Sequence, residues 1–167
     1  KLDDVVRRYH TVKMRILRQL RRFQAITPQQ INDVEGEIGY RLLFYPASHD
    51  LGQRIAEALR AEGISAGYRG PNARPDWHVY ADMFPITLKS GTMPQDHPFD
   101  LPEYQERDGH VEYAKGLCPV ADDLFNRSVS IPLNQWYSEA DCDAIAAGIN
   151  KVLTAFCTAD SGAPPWL

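Results

Sequence analysis

Apolar positions recur at helical spacing near both ends of the chain. Near the start, one stripe predicts a helix over residues 2–24, and its members are Leu2, Val5, Val6, Tyr9, Val12, Ile16, Leu20 and Phe23. Near the end, Ser138-Glu139-Ala140-Asp141 has the spacing of a capping box. The helix predicted beyond it carries a second apolar face, made of Ile145, Ile149, Val152, Leu153 and Phe156.

Between these helices, the pattern predicts a strand, a helix and a second strand. The first strand covers residues 38–45, and Ser48 or Asp50 caps the helix that follows. Gly63 ends that helix as its C′ residue, and residues 64–68 form the second strand. Strand, helix, glycine and strand in this order indicate a split βαβ unit.

The remaining segments complete a prediction of an α+β fold, a small antiparallel or mixed sheet packed by helices. They are a turn at 27–30 that can start one helical turn, a short helix or extended segment at 77–88, a long loop at about 89–116, a helix from Pro119 to about Asn126, a strand at 128–133 and a loose tail at 158–167. A loop as long as 89–116 with aromatic residues in it is typical of a functional or subunit-contact loop.

The 167 residues suit one domain, and the net charge of −4 argues against nucleic acid as a general partner. Charge is nevertheless uneven, because residues 1–24 hold eight Lys or Arg against two acids. One interpretation is a nucleic-acid or membrane arm; the one we favour is the solvated face of a helix that lies on an acidic partner surface.

Three cysteines form no Cys-x-x-Cys pair, and no signal peptide or membrane-length apolar run is present. The sequence therefore predicts a cytoplasmic protein with reduced thiols and no membrane contact. Leu2 already belongs to the first apolar stripe with no capping residue before it. We therefore expect helix 1–24 to continue from a preceding large domain, with a small domain at 25–157.

Candidate chemistry is sparse. The five histidines have no metal-ligand spacing, there is no phosphate-binding glycine loop, and no catalytic triad can be assembled. We therefore predict no metal site and no catalytic residue in this chain. Asp122 and Asp123 are expected to favour the positive end of the helix that starts at Pro119.

Side chains suited to substrate binding do cluster after the second strand of the βαβ unit. They are Tyr68, Arg69, Asn72, Arg74, Trp77 and His78, with Tyr80 nearby. The arginines can bind a carboxylate or phosphate as a fork, and the aromatic rings can face a sugar. Alternatively, the aromatic residues only hold the loop against the core.

The order of several motifs resembles one enzyme family along residues 2–157. The motifs are Leu2-Asp3-Asp4-Val5-Val6-Arg7-Arg8, Tyr40-Arg41-Leu42-Leu43-Phe44, Ala58-Leu59-Arg60-Ala61-Glu62-Gly63-Ile64, Cys118-Pro119-Val120-Ala121-Asp122-Asp123-Leu124 and Ile131-Pro132-Leu133 followed by Ser138-Glu139-Ala140-Asp141. Together they resemble the C-terminal small domain of pyridoxal-phosphate (PLP) sugar aminotransferases of the DegT–DnrJ–StrS type.

The resemblance implies a fold-type-I homodimer that moves an amino group from glutamate or glutamine to a keto sugar or keto-cyclitol. It places the Schiff-base lysine and the carboxylate facing the pyridine nitrogen in the large domain, so PLP belongs to the complete enzyme and none is expected on this chain alone. Typical members carry a His-Tyr pair and a Pro-Leu-His segment after the second strand. Here the stretch is 67–75, where Tyr68 matches the family tyrosine and the histidines do not carry over. This departure suggests a divergent subfamily with an unusual substrate.

Two hypotheses follow. In the first, the chain is the small domain of such an aminotransferase and closes one wall of its active site beside a large domain or a partner chain. In the second, it is a binding or regulatory module derived from that domain, or half of a split enzyme, with the apolar stripe of helix 2–24 docking on the partner.

Overall fold

Four strands pair into one sheet in the computed structural model, which describes residues 1–91 and 97–167. They are β1 (Ile26–Pro28), β2 (Arg41–Pro46), β3 (Gly67–Tyr68) and β4 (Val129–Pro132). Their order across the sheet is β1-β2-β4-β3, and every neighbouring pair is antiparallel. Since β4 lies between β2 and β3, these two strands run parallel to each other. With the helix between them in the chain, they form the predicted split βαβ unit.

The other regular elements of the described residues are helices. They are α1 (Leu2–Leu17), α2 (His49–Ala61), α3 (Phe84–Thr87), α4 (Pro102–Arg107), α5 (Pro119–Arg127) and α6 (Glu139–Phe156), with a 3₁₀ turn at Tyr80–Asp82 before α3. A small antiparallel sheet packed by helices is the predicted α+β class, which is confirmed.

The chain divides into two compact units. The first comprises Lys1–Pro71 and Leu124–Leu167 and holds the sheet, and the second comprises Asn72–Asp123. The second unit begins ahead of the predicted loop at 89–116. Within that loop, Pro102–Arg107 form α4, and residues 92–96 lie outside the described part of the chain.

Local signals place both ends of α2 and the start of α6 where the sequence predicted them. The Ser48 hydroxyl caps α2 by accepting a hydrogen bond from the Leu51 amide at 3.2 Å. Ser138 and Asp141 form the capping box of α6. Gly63 follows α2 with a φ of +81°, a backbone conformation that favours glycine after a helix.

The core of the first unit lies where α1, α2 and α6 cover the sheet. Along β2, every second side chain faces the core, and Leu42 and Phe44 are two of these buried positions. The predicted face of α6 is buried at Ile149 and Leu153, whereas Phe156 stays partly exposed beneath the guanidinium of Arg54. The apolar stripe of α6 therefore serves the core mainly through its central turns.

The first helix is shorter than predicted, because α1 ends at Leu17 and not at residue 24. Leu20 and Phe23 of the stripe are buried even so. The side chain of Asn150 explains the stop: it donates to the Gln19 carbonyl at 2.9 Å and accepts from the Arg21 amide at 2.9 Å. A side chain of α6 thus satisfies backbone groups that a longer helix would have paired internally.

The prediction of a loose tail at 158–167 is wrong. Phe23 and Ala159 form an antiparallel bridge, so the backbone at 22–24 is extended there. Trp166 is buried, donates from Nε1 to the Arg21 carbonyl at 2.8 Å and meets the Phe44 ring edge to face at 5.7 Å. The indole contributes apolar area to the core, which holds the tail down.

Two predicted boundaries also shift. Residues 26–28 pair with β2 as a strand, so the expected helical turn at 27–30 is wrong. The strand predicted from residue 38 starts at Arg41, because Gly39 turns the chain with a φ of +87° close to α1. An added Cβ at Gly39 would lie 2.8 Å from the Tyr9 carbonyl oxygen, so only glycine permits this approach.

Candidate functional site

The ring of Tyr68 is held in a slot between two glycines of the first unit. A Cβ at Gly52 would lie 3.0 Å from the ring, and a Cβ at Gly70 would lie 2.7 Å from it. Gly70 also has a φ of +73°, which disfavours any other residue. Two glycines on different segments therefore leave the space that this tyrosine ring occupies.

The Tyr68 hydroxyl is buried and has no hydrogen-bond partner among the described residues. Burial raises the pKa of this phenol, and the nearby carboxylate of Asp50 raises it further. The group is therefore a neutral donor at physiological pH. A buried donor without an acceptor is uncommon, so this hydroxyl is a candidate for contact with a bound ligand.

Arg69 follows Tyr68 and stacks its guanidinium over the ring of Phe125, 5.5 Å from the centroid. Near the start of α2, Arg127 donates to the Pro46 carbonyl at 2.8 Å and to the Tyr45 carbonyl at 3.3 Å. Of the predicted site residues, the first unit contains Tyr68 and Arg69. They supply one neutral hydroxyl donor and one stacked guanidinium.

The other four predicted residues belong to the second unit. Asn72 and Arg74 are exposed on a turn and an extended segment. Trp77 is 63 % exposed and meets the Phe84 ring edge to face at 5.5 Å. The side chain of His78 is 96 % exposed, and its Nδ1 lies 2.9 Å from an oxygen of Asp76. The two side chains that follow Asp76 therefore face solvent.

A hydrogen-bond cluster in the second unit escaped prediction. The Tyr80 hydroxyl donates to Asp122 at 2.8 Å and accepts from the amides of Gly116 at 2.9 Å and Cys118 at 3.3 Å. Asp122 lies in the first turn of α5, as the expected dipole interaction requires, and its carboxylate also accepts from this hydroxyl and from the Gly116 amide. Tyr80 and Asp122 are 42 positions apart, so no local pattern could have revealed the pair.

Open clefts on the first unit, among the residues that the structure describes, include two that no predicted site residue lines. One, of about 620 Å³, lies between the end of α2, the end of β4 and α6, with the Glu62–Lys151 ion pair at its rim. The other, of about 580 Å³, lies between α1 and α6 around Arg15 and Asp143. Both clefts are open to solvent, and the predicted site residues lie outside them.

Basic side chains of the first helix form ion pairs with acidic residues of the same unit. Arg15 forms two 2.9 Å hydrogen bonds to Asp143 and contacts Glu139 at 3.0 Å, while Arg7 and Arg8 bind Asp4. Glu139 and Asp143 belong to α6 of the same unit, so the acidic partner surface stays a prediction.

Among residues 1–91 and 97–167, no three His, Cys, Asp or Glu side chains come together in a way that could hold a metal ion. Within the same ranges, no helix combines the length and apolar character needed to cross a membrane.

The fold has a counterpart among solved structures. The chain is similar to the crystal structure of an aminotransferase, TlmJ, from Streptoalloteichus hindustanus, with a TM-score of 0.57 and 14 % sequence identity. The match covers 90 % of this chain. The chain shares its fold with part of an aminotransferase. It spans about a third of that protein, 32 % of its length, and at this identity the likeness concerns the fold alone. No protein-family model and no curated protein matches the sequence.

Proposed function

We propose that the chain is the C-terminal small domain of a PLP-dependent sugar aminotransferase of the DegT–DnrJ–StrS type. In this proposal the enzyme transfers an amino group from glutamate or glutamine to a keto sugar or keto-cyclitol, as a cytoplasmic homodimer. The observation that carries the proposal is the fold match to part of TlmJ over 90 % of the chain. The order of motifs along residues 2–157 agrees with this fold match, and it is the reason for naming this family in the proposal.

Three of the five lysines of the chain bind groups of the protein itself and do not fit a PLP site. Lys13 is buried against Glu37, Lys151 binds the Glu62 carboxylate at 2.7 Å, and Lys89 donates to the Gly109 carbonyl at 2.7 Å. Lys151 lines the cleft of about 620 Å³ beside Glu62 and Asp141, but no arginine or histidine lines that cleft to bind the phosphate of the cofactor. We therefore assign PLP, in the proposal, to a large domain or partner chain.

The small domain contributes substrate contacts in this proposal. The buried Tyr68 hydroxyl is the strongest candidate in the first unit, because it needs an acceptor that the described residues do not supply. A sugar hydroxyl or carbonyl oxygen is such an acceptor. Arg69 and Arg74 provide guanidinium groups suited to an anionic substituent. The aromatic ring of Trp77 suits the apolar face of a sugar.

The test uses the polypeptide that carries this chain, supplied with PLP and, if it is not active alone, with the chain that copurifies with it. Amino transfer from glutamate and glutamine is measured against a panel of keto sugar nucleotides and keto-cyclitols. Visible absorption of a borohydride-sensitive lysine Schiff base reports the cofactor. Absence of both signals rejects the proposal; acceptor binding without amino transfer favours the binding module.

Tyr68→Phe isolates the role of the buried hydroxyl. We expect kcat/KM for the acceptor to fall roughly tenfold, the value of one hydrogen bond of about 1.4 kcal/mol. Tyr40→Phe is the matched control, because Tyr40 is an exposed tyrosine of the same unit. Its kinetic constants should not change. If both substitutions changed kcat/KM equally, the proposed contact between Tyr68 and the substrate would be wrong.

A further inference from the structure

Charge is divided unevenly between the two compact units. The second unit, Asn72–Asp123, contains four Lys or Arg against ten Asp or Glu, which gives it a net charge of −6. The first unit contains fourteen Lys or Arg against twelve Asp or Glu, a net charge of +2. The net charge of −4 for the whole chain hides this difference in sign. Surfaces of opposite charge attract each other as they approach, so each unit suits a partner that resembles the other.

Three exposed arginines just after α1 have no acidic partner. They are Arg18, Arg21 and Arg22, and we call them the arginine surface. Arg21 donates to the Thr154 hydroxyl at 3.4 Å, and Arg22 donates to the Ser161 carbonyl at 3.1 Å. In the part of the chain that the structure describes, none of the three forms an ion pair with a carboxylate. Their positive charge is therefore not neutralised within the first unit.

The second unit presents carboxylates of the matching kind on α4. Glu103 and Glu106 are exposed and three positions apart in this helix, so their side chains are neighbours on one face. We call this pair the acidic face. Neither carboxylate meets a cationic side chain among the described residues, and neither does the exposed Glu112. The one cation of α4, Arg107, binds Asp108 at 2.7 Å and leaves the acidic face unneutralised.

A second copy of the chain fits both surfaces. Guanidinium and carboxylate groups form charge-assisted hydrogen bonds, in which one arginine can bind both oxygens of an acid. Each copy carries both surfaces, so two copies related by a twofold axis can form the same contact twice. Nucleic acid would also attract the arginine surface, but the net charge of −4 on the chain opposes its approach. The acidic unit of another copy meets no such opposition from the first unit.

We propose that the arginine surface of one copy binds the acidic face of a second copy, and that two such contacts hold a symmetric dimer. The inference rests on the proposed function in one respect, because it names surfaces that join the two copies of the proposed homodimer. The contact itself does not depend on amino transfer. Since the paired groups are exposed, the dimer should weaken as salt screens them.

The first test is the mass of the whole chain by sedimentation velocity. The monomer has a mass of 18.9 kDa, so a dimer has twice this mass. We expect a dimer in about 50 mM salt, with a Kd that rises at least about tenfold when the salt reaches about 0.5 M. A chain that stays monomeric in low salt overturns the proposal. A dimer whose Kd does not respond to salt also overturns it.

Charge reversal tests which surfaces meet. Arg18→Glu with Arg22→Glu reverses the arginine surface, and Glu103→Arg with Glu106→Arg reverses the acidic face. Each double variant alone should be monomeric, because like charges then face each other in both contacts. An equimolar mixture of the two should form dimers again, since both contacts of the mixed pair join opposite charges. A mixture that stays monomeric overturns the contact, and so does dimerisation of either variant at the wild-type Kd.

Glu35→Arg with Glu57→Arg is the matched control, because it reverses two exposed acids of the first unit and changes the net charge as the α4 variant does. It should dimerise as the wild type does. Duplex DNA that binds a monomeric wild-type chain, but not the variant with the reversed arginine surface, assigns the arginines to nucleic acid and overturns the proposal. Amino transfer by a monomeric chain removes the contact and leaves the proposed reaction; a charge-dependent dimer without amino transfer in the PLP-loaded protein does the reverse.

Discussion

Lys13 is a charged side chain in the core of the first unit, and its pairing allows a sharp stability test. The residue is 1 % exposed, and its Nζ lies 2.6 Å from an oxygen of Glu37, whose side chain is 28 % exposed. His10 adds a second tie, because its Nδ1 donates to the Glu37 carbonyl at 2.9 Å. The ion pair thus joins α1 to the segment that leads into β2.

The two partners should respond unequally to substitution. Glu37→Gln removes the negative charge and leaves a buried ammonium group. We expect this change to reduce the free energy of unfolding by about 2 kcal/mol. The loss stays below the full value for a wholly buried pair because Glu37 is partly solvated. Lys13→Met removes the buried charge and keeps an unbranched side chain. Since Glu37 can then turn to water, the loss should stay under about 1 kcal/mol.

Urea unfolding at neutral pH measures both variants. With an m-value of about 2 kcal/mol/M, Glu37→Gln should lower the midpoint by about 1 M. The double variant should be no less stable than Lys13→Met alone. Asp4→Asn is the control, since the pairs of Asp4 with Arg7 and Arg8 are exposed, and its midpoint should not change. A larger loss in Lys13→Met than in Glu37→Gln would refute the reasoning, because it would mean that attraction outweighs the desolvation of the charges.

Three further predictions concern the tail, the tyrosine slot and an ion pair. Trp166→Ala should reduce stability by about 3 kcal/mol, whereas Trp136→Ala should change it by less than about 0.5 kcal/mol in the same urea assay. Gly70→Ala should destabilise by more than about 1 kcal/mol, because φ is +73° and the new Cβ would meet the tyrosine ring; an unchanged melting curve would contradict the slot. Hydrogen bonds from Arg15 lower the pKa of Asp143 in the folded state. The contribution of this carboxylate to the free energy of unfolding is therefore complete above the ordinary aspartate pKa, and it is lost as the pH falls through the lower pKa of the folded state. Asp143→Asn should therefore lower Tm at pH 7, and the two Tm curves should converge as the pH falls below the lowered pKa of Asp143; a constant difference would disprove the linkage.

The candidate site was only partly readable from the sequence. Residue type and order pointed to Tyr68 and to the pair Trp77 and His78, because an irregular segment after a strand concentrated aromatic and cationic groups. The glycine slot of Tyr68 joins α2 to the turn after β3, and no short pattern encodes that contact. The Tyr80–Asp122 bond likewise depends on how the second unit folds.

By itself, the sequence determined the elements that short-range physics specifies. Ser48 and Ser138 cap helices through amides three residues away, and the glycine after α2 needs a positive φ whatever surrounds it. The strand–helix–strand order predicted the split βαβ unit. Parallel strands such as β2 and β3 need a long crossover connection, and the helix between them provides it.

Tertiary structure decided where those elements stop and what the remaining segments do. The stripe of the first helix continues to Phe23, yet Asn150 and the backbone at 158–160 take the hydrogen bonds that further helix would use. The tail looks unstructured because its Gly and Pro content gives no periodicity, and burial of Trp166 holds it in place. Lys13 appears in sequence as one more cation of a basic helix, and only the approach of Glu37 makes it a core residue. In each case the deciding partner is distant in sequence, so its contribution exists only once the chain has folded.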